Sequence, residues 1–134
     1  MIPEILIIVS WVLYAVLEGW RDAYFYHYRN TSSHPKNENL HWLYTVERIL
    51  ITVAVFFILP GWFHTGLICM GFIFVFPFFH DGMYFLTRHR LDKKVYPFGW
   101  ADNSYTSQAV WELKFFERVV GLVIGAALFI AGIF

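Results

Sequence analysis

The chain has a single cysteine, Cys69, set in an apolar run, so no intramolecular disulfide forms and no cysteine pair is available to a metal. Charge is also scarce. Only 15% of the 134 residues are Asp, Glu, Lys or Arg, against 58% hydrophobic and 22% aromatic, and the formal net charge is zero. Without an isolated basic tail, the composition offers nothing to nucleic acid or to an acidic polymer. The first residues, MIPEILIIVSWVLYAVLEGW, lack a basic leader and a small-residue cleavage site, and are expected to form a retained first span.

Catalytic signatures are missing too. There is no Gly-rich phosphate loop, no spaced aspartate pair for magnesium, and no Ser-His-Asp or Cys-His arrangement for a nucleophile. Of the two Glu-x-x-His motifs that a di-iron bundle needs, the sequence holds one, Glu38 to His41, beside the first polar connection. A continuous aqueous path through a single chain is not expected either, because the segments ILIIVSWVL, TVAVFFIL, GLICMGFIFVFP and VVGLVIGAALFIAGIF carry too few polar groups to line one.

What the chain does have is more apolar surface than a soluble core of this size can bury. Four apolar segments, at about 5–28, 41–60, 63–87 and 107–134, approach the ~20 residues that a helix needs to cross the hydrocarbon. Strand alternation is absent. The expected fold is an all-α integral membrane protein, one domain over 1–134, built as a four-helix transmembrane bundle of two helical hairpins. Pro60-Gly61-Trp62 supplies a tight turn between the second and third helices. VERILITVAVFFI from Val46 and FERVVGLVIGAALFI from Phe116 also resemble one another, a weak internal repeat.

All ten Lys and Arg fall within residues 21–48 and 88–118. By the positive-inside rule the loops near 29–40 and 88–106 are expected on the cytoplasmic side, with both termini outside. Lys93 to Trp100 (KKVYPFGW) is expected to fold back onto the membrane surface.

Counting along the helices puts Glu18, Glu47, His80 and Glu117 at similar depth within one leaflet. Ionisable groups there are costly toward lipid, so they are expected to face inward and pair. Glu18, Arg21 and Asp22 share one face of the first helix, at i, i+3 and i+4. Tyr44, Glu47 and Arg48 come from the second helix, His80, Asp81, Tyr84 and Arg88 from the third, and Glu117 and Arg118 from the fourth. Neighbours on a helix diverge by about 100°, so Glu47 and Arg48 cannot both face the axis.

Several chemistries fit this layer. Glu18, Asp22, Glu47, His80 and Glu117 form a mixed oxygen and imidazole set suited to Zn, Mn or Fe. Arg21, Arg48, Arg88 and Arg118 are suited to an anionic lipid headgroup. His27 with His89, or His41 with His80, would be haem pairs. The competing reading is a salt-bridge network that only orders the helices, in a membrane interaction protein without catalytic function. Gly121 and Gly125, a small-xxx-small pair, serve either close packing within the bundle or a homo-oligomer contact.

Overall fold

A computed structural model of the chain describes residues 2–31, 39–59, 61–103 and 113–134, with side chains in those ranges apart from 29–31 and 39–44. Among the described residues every regular element is helical: α1 (Ile2–Thr31), α2 (Asn39–Ile58), α3 (Trp62–Leu91), a 3-10 turn (Gly99–Ala101) and α4 (Phe115–Ile133). Pro60 lies outside the described residues. Gly61 beside it has φ 89°, a left-handed conformation that glycine adopts without a Cβ penalty.

The exterior of the fold is apolar, unlike that of a protein in water, and part of its charge is buried. Large apolar side chains such as Leu13, Ile73 and Val123 face outward, while Glu18 and Arg118 are 2% and 0% exposed. Such an exterior is stable against lipid tails, which demand apolar surface and a backbone satisfied within each helix. Among the described residues three helices are long and apolar enough to cross a membrane: α1 through Tyr28, α3 and α4. The expected fourth crossing, α2, is not among them. After Arg48 its charge-free part is Ile49–Ile58, covering about 15 Å, half of a hydrocarbon core about 30 Å thick.

Helix α3 is the centre of the molecule, packed along both α1 and α4 and more lightly against α2. Its inner face carries Ile68, Phe72 and Val75, which meet Trp11 of α1, Val55 of α2 and Phe129 of α4. On the α4 side the approach is close because glycines face it. A Cβ on Gly121 would sit 2.7 Å from the Phe74 carbonyl oxygen, and one on Gly125 would sit 2.8 Å from that of Gly71. The two small residues therefore serve packing within the chain and are turned away from the oligomer contact also considered for them. Gly125→Val is expected to cost about 1–3 kcal/mol through overpacking, read as a lowered melting temperature in detergent.

The fourth helix begins later than its apolar pattern implies. Leu113 and Lys114 are non-helical, so the span expected from 107 starts at Phe115, and residues 104–112 lie outside the described set. The Lys114 N–H donates to Glu117 Oε2 at 2.7 Å, which makes Glu117 a capping residue of the first turn. The segment after α3 folds back onto α3: Tyr96 is buried against Phe85, and Trp100 lies over the Gly82 backbone.

Candidate functional site

Glu18 and Asp22 occupy one face of α1, a helical turn apart, and both are buried. Between them Gly19 lets α3 approach so closely that an added Cβ would collide with the His80 carbonyl oxygen. The glycine thereby sets the spacing at which His80 meets the two carboxylates. One ligand atom from each of Glu18, Asp22 and His80 lies within 4.8 Å of the others.

Cations surround this trio. Arg48 reaches across from α2 and donates from Nη2 to Glu18 Oε1 at 2.8 Å and from Nε at 3.2 Å to both carboxylate oxygens. Arg21 donates to Asp22 Oδ1 at 3.2 Å and to Glu18 Oε1 at 3.5 Å. With Arg48 turned toward Glu18, its neighbour Glu47 points away and is exposed. That divergence is the 100° step between consecutive helical residues.

The two nitrogens of His80 are in different situations. Nδ1 lies 2.8 Å from Asp81 Oδ1, a full hydrogen bond in which the ring N–H donates to the carboxylate. Nε2 lies 3.4 Å from Asp22 Oδ2, beyond the usual N–H···O range of about 2.7–3.2 Å. The ring also stacks on Phe76, with centroids 4.8 Å apart, and the Arg48 guanidinium stands 4.4 Å from the same Phe76 ring. Asp81 and Phe76 together fix the plane in which Nε2 points.

The remaining expected site residues fall elsewhere. Glu117 is exposed at the start of α4, engaged with the Lys114 amide, and does not enter the trio. Arg118 is fully buried, donates from Nη2 to the Asp102 carbonyl oxygen at 2.6 Å, and lies over the rings of Phe85 and Phe115. Arg88 donates to the Tyr84 hydroxyl at 3.4 Å and stands over the Tyr96 ring. Tyr84, Arg88 and Arg118 thus belong to the junction of α3, α4 and the folded-back segment, not to the trio of carboxylates and His80. His89 Nδ1 is 2.6 Å from the Tyr96 carbonyl oxygen. The side chains of Tyr44 and His41 lie outside the described residues.

Two participants escaped the sequence reading. Asp102 is buried and accepts from the Phe98 N–H at 3.0 Å, yet it sits in a polar loop where nothing marks burial. Gly19 carried a signal, since a glycine inside a helix costs about 1 kcal/mol against alanine and calls for a packing reason.

No protein-family model matches the chain, and neither do the curated proteins or the solved structures with which it was compared.

Proposed function

We propose that this membrane protein binds a divalent transition-metal ion between α1 and α3, with Glu18, Asp22 and His80 as ligands. The observation that carries the reading is the pair of His80 distances. Two ligands of a tetrahedral Zn or similar ion, each about 2.0–2.1 Å from it, are about 3.3 Å apart, and His80 Nε2 and Asp22 Oδ2 stand at 3.4 Å. Asp81 on Nδ1 is the outer carboxylate that commonly orients a metal-bound imidazole and raises its basicity. Glu18 would close the remaining gap through one carboxylate oxygen while the other keeps Arg48 Nη2 at 2.8 Å, and a mixed oxygen and imidazole set suits Zn, Mn or Fe.

Further parts of the reading concern the membrane. All ten cations cluster in two stretches, which supports placing both polar connections on the cytoplasmic side with the termini outside. In that arrangement α2 is a fourth, shorter crossing that delivers Arg48 to the site.

Elemental analysis of protein purified without added metal tests the site. About one equivalent of Zn, Mn or Fe is expected per chain, lost in His80→Ala and Asp22→Asn and retained in Glu47→Gln and Glu117→Gln. A second reading is supported by the 2.8 Å bond from Arg48 to Glu18, which already satisfies one acid. In that reading the charges only hold α1, α2 and α3 together. Metal-free wild-type protein would establish it.

A further inference from the structure

A cavity adjoins the site at Arg48. It is an apolar groove of about 310 Å³ among α1, α2 and α3, and its walls include Trp11, Thr52, Phe72 and Phe76. The rim residues Val53 and Ile73 are exposed, so the groove opens to the surroundings of the helices, which for these spans is lipid. Its length follows the helix axes. Trp11 is two turns before Glu18, about 10 Å, and Arg48 closes the charged end.

Polarity on these walls is confined to a few atoms. The Thr52 hydroxyl is spent on the Arg48 carbonyl oxygen at 2.8 Å. Arg48 uses Nε and Nη2 on Glu18, which leaves Nη1 without a hydrogen bond among the described residues. The buried Trp11 indole N–H has no acceptor either. Lipid tails are as apolar as the wall, so an acyl chain gains little by entering. Selection must come from the head, and the free donor on Arg48 calls for an anionic oxygen.

Charge decides when that head is welcome. Without an ion, Arg21 and Arg48 against Glu18, Asp22 and Asp81 leave the cluster no better than neutral whether or not His80 carries a second proton, so it does not attract an anion. A divalent ion makes it one charge positive. Resting on the metal reading, we propose that the groove holds one acyl chain of an anionic phospholipid, whose phosphate accepts from Arg48 Nη1 when the ion is bound.

Full-length protein is reconstituted in vesicles of phosphatidylglycerol and phosphatidylcholine with matched acyl chains, extracted gently, and its retained lipid and metal counted by native mass spectrometry. Both lipids carry a phosphate that can accept from Arg48, so the comparison reads the net charge of the head: metal-loaded protein is expected to retain the anionic phosphatidylglycerol about tenfold over the net-neutral phosphatidylcholine. Chelation or Arg48→Gln brings the ratio near one. Val53→Trp, at an exposed rim position, fills the groove and loses both lipids while keeping the metal. Metal-loaded protein with no lipid preference, or Val53→Trp retaining phosphatidylglycerol as the unaltered chain does, overturns the inference and leaves the metal reading intact. Protein that binds no metal overturns both.

Discussion

Glu18→Ala is expected to destabilise the protein by about 3–5 kcal/mol, the usual cost of breaking a buried ion pair by removing one partner. Glu18 is 2% exposed and accepts from both Arg48 and Arg21. Its loss leaves the Arg48 guanidinium half-buried beside Phe76 with no carboxylate, and removes the direct polar link from α2 to α1. Helix α2 packs lightly on α3, where Val55 joins the core, so the ion pair adds to a small apolar contact. Glu47→Ala, one residue before Arg48, is the control. Its side chain is exposed, and the change should stay within about 0.5 kcal/mol. Thermal unfolding in detergent of the two variants side by side measures the contrast, and equal stability would remove Glu18 from its central place.

The second large effect is expected from one methyl group. In Gly19→Ala the new Cβ would collide with the His80 carbonyl oxygen and lie 2.9 Å from the His80 carbonyl carbon and 3.1 Å from its Cα. Backbone atoms cannot rotate aside, so α1 and α3 must separate, at about 1–3 kcal/mol. The site suffers along with stability, because the same approach sets the distance from His80 to Glu18 and Asp22. Metal content should fall with the melting temperature. Gly66→Ala, on α3 with nothing within 4 Å of its would-be Cβ, separates packing from helix propensity. That variant is expected to be neutral or stabilised by about 0.4–1 kcal/mol, with its metal retained.

Much of the site was legible in the sequence. Glu18, Arg21 and Asp22 share a face by helical spacing alone, and the 100° step forces a choice between Glu47 and Arg48. What spacing cannot supply is which neighbour wins, and here the long guanidinium reaches Glu18 while the shorter carboxylate turns out. Depth counting back from Phe134 says how far along α4 Glu117 lies, but not which way its side chain turns. The non-helical residues Leu113 and Lys114 place that glutamate in a first turn, where a free backbone amide claims it. Arg118 pairs with a loop carbonyl at Asp102, a contact sixteen residues away that no periodicity encodes. For Gly121 and Gly125 the motif states that something packs closely, and only the fold names α3 as that partner.

The central claim is that His80 and two α1 carboxylates hold one ion. X-ray absorption at the edge of the bound metal tests it most directly, in the purified full-length protein. The account predicts a shell of nitrogen and oxygen at about 2.0–2.2 Å with the outer scattering of a single imidazole, lost in His80→Ala. A sulfur shell, or an imidazole signal unchanged in His80→Ala, would contradict it.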